Sequence, residues 1–112
     1  MGQKEKIGSG TTTNSYTSTR YSKYTQNWQN KLILISNTGA SNGLTFKVYG
    51  VADMDDETDS TYLLQDETTL SADTVIPYRT EDPWEALYVQ VKSSVADSHT
   101  SYKVWVNRNV HA

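Results

Sequence analysis

The chain has 112 residues and no cysteine, which excludes disulfides and thiolate metal sites. No apolar run approaches the ~20 residues needed to span a bilayer, so no membrane partner is expected. The basic start Met1-Gly2-Gln3-Lys4-Glu5-Lys6 is not followed by the apolar stretch that a signal peptide uses. Histidine is confined to His99 and His111. A Gly-rich phosphate loop, His-Glu-x-x-His and Gly-x-Ser-x-Gly are all missing. No segment sustains a 3.6-residue apolar period with caps, so no substantial helix is predicted.

Aliphatic residues are also scarce at the start. In residues 1–31 the only Leu, Ile, Val or Phe is Ile7, while residues 32–110 hold the other twenty, beginning at Leu32-Ile33-Leu34-Ile35. The pattern predicts an extended polar arm over residues 1–31 and a compact domain over residues 32–112. Leu, Ile, Val and Phe number 21 of 112, a low share of the kind found in disordered chains. Net charge is only −3, however, and eight Tyr and three Trp add apolar area, so an ordered domain is expected. A domain of about 80 residues has a high surface-to-volume ratio, and contact with neighbours would relieve its thin core.

Charge is uneven. Residues 1–31 carry five bases and one acid, residues 32–85 two bases and eleven acids, and residues 86–112 three bases and one acid. A basic arm therefore precedes an acidic body. The arm could lie on the acidic surface of another copy or partner. Its bases (Lys4, Lys6, Arg20, Lys23, Lys31) are scattered, unlike a phosphate footprint, and no nucleic-acid partner is expected.

Residues 1–14 read as flexible. Residues 15–24 have strand propensity from Thr and Tyr but almost no aliphatic weight. Such a segment pairs with an existing sheet edge and does not fold alone. In the body, residues 32–36 form a continuous apolar run, which predicts burial on both faces. Leu44, Phe46 and Val48 alternate with Thr45, Lys47 and Tyr49. Residues 61–65 and 74–78 are shorter strand candidates, and Pro77 and Pro83 mark edges. Leu87, Val89 and Val91 alternate with Tyr88, Gln90 and Lys92, and Tyr102, Val104 and Val106 with Lys103, Trp105 and Asn107. Several short strands separated by turns predict an all-β chain: a single small antiparallel β-sandwich, jelly-roll or Ig-like, behind the arm.

Little of this supports chemistry. Asp97-Ser98-His99 has the residue types of a hydrolase triad, but adjacency in sequence does not make triad geometry. The acids Asp53, Asp55, Glu57 and Asp59 could supply oxygen ligands to calcium but lack the spacing and the Gly of an EF-hand; a solvated acidic loop is the reading and no metal site is assigned, with a loose calcium site as the alternative. No cofactor and no enzymatic activity are expected. If the aliphatic rows face inward, Tyr49, Tyr88 and Trp105 lie on outer sheet faces. Exposed aromatics among long polar side chains mark partner-binding surfaces. Their cover could be the chain's own arm, a neighbouring subunit, or a ligand such as a sugar. The arm would contribute Tyr16, Arg20, Tyr21, Tyr24 and Trp28.

Certain stretches carry a resemblance: Thr45-Phe46-Lys47-Val48-Tyr49-Gly50, Glu67-Thr68-Thr69-Leu70-Ser71-Ala72-Asp73, Pro83-Trp84-Glu85-Ala86-Leu87-Tyr88-Val89-Gln90-Val91-Lys92 and Tyr102-Lys103-Val104-Trp105-Val106. With the cysteine-free arm, they make the chain resemble small β-sandwich structural proteins of tailed phages and related virus particles, particularly head decoration (cement) proteins. The resemblance implies a bacteriophage virion protein, assembled in the host cytoplasm. It would bind the major capsid protein or other virion subunits and self-associate through its arm. β-Augmentation by residues 15–24 would supply affinity, and deleting residues 1–28 would leave the body folded but abolish assembly. The alternatives are a neck, tail or fibre component, or a carbohydrate-binding, host-recognition module with Trp105, Tyr88 and Tyr49 as its stacking platform.

Overall fold

The computed structural model describes residues 2–21 and 30–109, with only the backbone path given for residues 2–4, 20, 21, 30, 108 and 109. The described residues form eight strands: β1 (Gly2–Thr11), β2 (Thr17–Tyr21), β3 (Asn30–Asn37), β4 (Leu44–Val51), β5 (Thr61–Leu70), β6 (Thr74–Thr80), β7 (Ala86–Ser93) and β8 (Ser101–Asn109). They form two four-stranded antiparallel sheets, ordered β1-β8-β3-β6 and β2-β7-β4-β5. Consecutive strands alternate between sheets over much of the chain, and the last two insert between early ones. This is the jelly-roll arrangement of two interlocked Greek keys. The chain's acidic stretch forms a 3-10 turn over Met54–Asp56 and one helical turn, α1 (Glu57–Ser60).

The inward rows follow the period of two. Ile33 and Ile35 of β3 and Tyr102, Val104 and Val106 of β8 face Leu44, Phe46 and Val48 of β4 and Leu87, Val89 and Val91 of β7; all are buried. Full burial of such a side chain contributes about 1.5–3 kcal/mol, so these rows hold the two sheets together. Ile7, Leu64, Ile76, Tyr78 and Trp84 close the margins. The run at residues 32–36 is less enclosed than predicted. Ile33 and Ile35 are buried, but Leu32 and Leu34 are half-exposed on the solvent side of β3.

The first 21 residues differ most from expectation. Residues 2–11, read as flexible, are β1, paired with β8 from Gly2↔Asn109 to Thr11↔Ser101. Residues 17–21 are β2, paired with β7 from Thr17↔Val91 to Tyr21↔Leu87. The described part of the arm is therefore two edge strands of its own sandwich, one on each sheet. Edge strands need few aliphatic side chains, because the neighbouring strand supplies both hydrogen-bond partners and core. Where β1 and β2 meet, a Cβ on Gly8 would lie 2.4 Å from the Thr19 methyl, so glycine permits that close approach.

One end of the sandwich is locked by buried polar contacts. The Thr12 amide donates to the Thr100 carbonyl at 2.8 Å, and the Thr100 amide donates back to Thr12 Oγ1 at 2.9 Å. The Thr100 hydroxyl donates to Asn37 Oδ1 at 2.7 Å, and Asn37 Nδ2 donates to the Leu70 carbonyl at 3.1 Å. At the other end, Trp84 lies against β4: a Cβ on Gly50 would fall 2.5 Å from its ring. Lys31, at the start of β3, is fully buried, and its Nζ donates to the Asp82 carbonyl at 2.5 Å.

These arrangements yield three expected outcomes. Deleting residues 1–21 removes an edge strand from each sheet, so cooperative thermal unfolding followed by circular dichroism should be lost rather than retained. Gly50→Ala should lower stability by about 1–3 kcal/mol through overpacking, read from urea midpoints. Combining it with Trp84→Leu should cost less than the sum of the two single changes. The third concerns pH. Burial pushes the Lys31 ammonium below its ordinary value against the opposing pull of Asp82 and Glu81, so the unfolded chain holds the extra proton and stability rises with pH up to about 10. Burial pushes the Tyr78 hydroxyl up, with help from Asp82, and the Tyr16 hydroxyl up, with help from its bond to Glu67. The folded state then keeps those protons longer, and stability falls above about pH 10. Lys31→Met should flatten the rise and leave the fall.

Candidate functional site

The expected binding residues separate into two faces. β4 and β7 belong to one sheet and β8 to the other. Tyr49 and Tyr88 are directly paired across β4 and β7 on one solvent face. Trp105, paired with Lys6 and Leu34, lies on the opposite face of the sandwich. The three therefore do not form one stacking platform. Their spacing within strands was readable from the sequence, but the assignment of strands to sheets was not.

On the face of the second sheet, the Tyr49 and Tyr88 rings stack at 4.9 Å between centroids and 10° between planes. One face of each ring is thus covered by the other, which leaves them poorly disposed to receive a sugar ring. Tyr16, half-buried just before β2, is held by its surroundings. Its hydroxyl donates to Glu67 Oε2 at 2.5 Å, and the Lys47 and Lys92 ammonium groups each lie 4.9 Å from its ring centroid. Lys92 also approaches Glu67 Oε2 at 3.9 Å. Such cation–π contacts contribute about 0.5–1 kcal/mol each at exposed sites. The Gln90 amide donates to Ser18 Oγ at 3.3 Å. Tyr16 thus pins the start of β2 onto β4, β5 and β7 of its own chain. The backbones of Arg20 and Tyr21 pair with Tyr88 and Leu87 in β7. Tyr24 and Trp28 lie outside the described residues.

The face of the first sheet is more apolar. Leu34 sits between Trp105 of β8 and Pro77 of β6. Leu32 is beside it, and Val75, 57% exposed, lies one row away opposite Ser36. Leu32, Leu34 and Trp105 are half-exposed, and Pro77 is exposed. The sequence marked Trp105 alone on this face. The continuous apolar run at residues 32–36 predicts enclosure, so the sequence carries no signal for Leu32 and Leu34 as part of a solvent-facing row.

The hydrolase residue types do not assemble. Asn14 Nδ2 donates to the Asp97 carboxylate at 3.0 Å, and the Asp97 amide donates to Asn14 Oδ1 at 2.8 Å, with Asp97 at φ 65°. His99 Nδ1 instead meets Ser93 Oγ at 2.7 Å, and Ser93 Oγ meets Thr12 Oγ1 at 2.8 Å. These contacts fasten the turn after β1 to the loop between β7 and β8. In the acidic stretch, the Asp53 carboxylate accepts from the Asp55 amide at 2.9 Å, and Glu85 Oε1 accepts from the Met54 amide at 2.7 Å. Among the described residues no three acids or histidines converge as metal ligands.

No family model and no curated protein matches the sequence. Solved structures match in fold. A Bacillus endospore appendage subunit, described as belonging to "a novel family of disulfide-linked pili", is similar at TM-score 0.56 and 6% identity, over 99% of this chain and 88% of that one. PirA is similar at TM-score 0.58 and 11% identity, over 91% and 92%. The Yersinia pseudotuberculosis-derived mitogen is similar at TM-score 0.55 and 7% identity, over 99% and 88%. At such identities the likeness establishes a shared fold, and that fold serves unrelated activities.

Proposed function

We propose that this protein is a non-enzymatic structural subunit of an assembly, and more specifically a capsid decoration (cement) protein of a bacteriophage virion. It would stabilise the shell by bridging capsid subunits. The observation that carries the reading is the apolar row of Leu32, Leu34, Pro77 and Trp105 on the solvent side of the first sheet. Contiguous exposed apolar surface marks a protein–protein contact, and a core this small gains from it. The likeness to a pilus-forming subunit is in keeping with an assembling role. Disulfide linkage is unavailable to a chain without cysteine.

Bridging then depends on the sandwich faces rather than on a free arm, since β1 and β2 are paired within their own domain. The carbohydrate-binding alternative loses its supporting geometry. Trp105 stands on the far face from Tyr49 and Tyr88, and those two rings cover one another.

Purified full-length protein should co-sediment with shells of the major capsid protein from the same genome and raise their melting temperature. Leu34→Lys places a charge in the apolar row without touching the core and should weaken that binding by about tenfold, equivalent to roughly 1.4 kcal/mol. Unaltered shell melting with wild-type protein would remove the decoration role.

A further inference from the structure

The corner where β5 meets residues 81–85 combines apolar surface, an open strand edge and one sign of charge. Residues 48–85 hold eleven acids and one base, Arg79, which lies on β6 of the first sheet opposite Leu32. Asp53, Asp55, Asp56, Asp59, Glu81 and Asp82 are exposed. Lys31, buried with its ammonium beneath the Asp82 carbonyl, offsets part of the charge of Asp82 and Glu81 from within and leaves the other acids uncompensated there. Set in this acidic surface is a concave pocket of about 340 Å³ lined by Ala52, Asp82, Pro83 and Trp84. The Trp84 ring lies 5.6 Å from that of Tyr62, which is 53% exposed, and the adjoining Leu63 is 49% exposed.

The strand edges point to the same corner. β1 carries lysines and a register shift between Lys6 and Gly8, β2 has five residues, and β6 contains Pro77. These features discourage a further strand from adding. β5 ends its sheet and, over Thr61–Leu63, has no Pro, Lys or Arg. Its register against Tyr49–Val51 is regular there, and the two shifts fall only beyond Leu63. Among the described residues nothing pairs with its outer side.

We propose that this corner docks an extended segment of a partner protein that carries an Arg or Lys side chain. The segment adds to the Thr61–Leu63 edge. Its long side chain lies along Pro83 and Trp84, and its cation meets the Asp82 carboxylate. Charge complementarity selects this occupant: an acidic surface around an aromatic pocket accelerates and orients the approach of a basic chain. A second copy is a poor occupant: pairing its own β5 edge brings the same acids to the seam, and its basic strands β1 and β2 are already paired within their own sandwich. The inference rests on the reading of the protein as an assembly subunit, whose shell partner would supply the segment.

The test titrates full-length ¹⁵N-labelled protein with a capped strand peptide, Thr-Val-Arg-Val-Thr-Val, and with its Glu-for-Arg counterpart. The Arg peptide should shift the amide signals of residues 61–63 and the Trp84 indole, weaken with salt, and outcompete the Glu peptide. Asp82→Asn should weaken it by about tenfold. Ala52→Arg, which places a cation in the pocket from an exposed position, should block it. No shifts at millimolar peptide, equal response to both peptides, or indifference to Asp82→Asn overturns the proposal. Shell binding is scored separately. A response to the Arg peptide without shell binding keeps the corner and removes the assembly role, whereas shell binding without a peptide response keeps the role and overturns the corner.

Discussion

The pairing of the first 21 residues with the last two strands is the constraint on which the remainder of the structure depends. Among the described residues β1 pairs only with β8, and β2 only with β7. Neither early strand has the aliphatic weight to hold itself in place, and the strands that receive them lie near the other end of the chain. The sandwich can therefore close only after β7 and β8 have inserted beside β4 and β3. Contacts of such long sequence separation slow folding, because loop-closure entropy is lost before the ladder forms. The polar cluster of Thr12, Asn37 and Thr100 and the exposed Asn14–Asp97 pair lie where that closure is made, and the buried cluster satisfies polar groups that would otherwise be stranded.

That closure also determines what the surfaces can do. With β1 and β2 on its edges, the sandwich offers three distinct surfaces: a tyrosine-bearing face pinned by Tyr16, an apolar face centred on Leu34, and an acidic corner around Trp84. A protein that bridges subunits needs more than one contact surface, and several weak contacts made at once give strong attachment through effective concentration. The apolar face and the acidic corner differ in chemistry, and under the proposed role they would meet different parts of a partner. Buried Lys31 links the core to that corner, since the same side chain that ends the polar segment supports the carbonyl of Asp82 from beneath.

Much of the fold was legible in the chain. The alternation of Leu44, Phe46 and Val48, of Leu87, Val89 and Val91, and of Tyr102, Val104 and Val106 identified the inward rows, because a strand's side-chain period is two and burial follows it. The absence of a helical period was equally informative. The arm was harder to read. β1 contains Gly, Ser, Thr, Lys and Gln, residue types shared by flexible tails and by solvent-side edge strands. What separates the two cases is whether a partner strand is present, and that partner is about a hundred residues distant.

Composition and periodicity by themselves determined that this chain is all-β, that it has no thiol chemistry, and which residues of each strong strand face inward. These properties are local, set by side-chain size, branching and alternation. Only the tertiary structure decided which strands share a sheet. It thereby placed Trp105 opposite Tyr49 and Tyr88, turned Leu32 and Leu34 toward solvent, made edge strands of residues 2–11 and 17–21, and enclosed Lys31. Those outcomes depend on backbone hydrogen bonds between distant segments, and backbone groups are alike in every residue but proline. The side chains show which face a residue prefers, and long-range pairing decides which surface that face becomes.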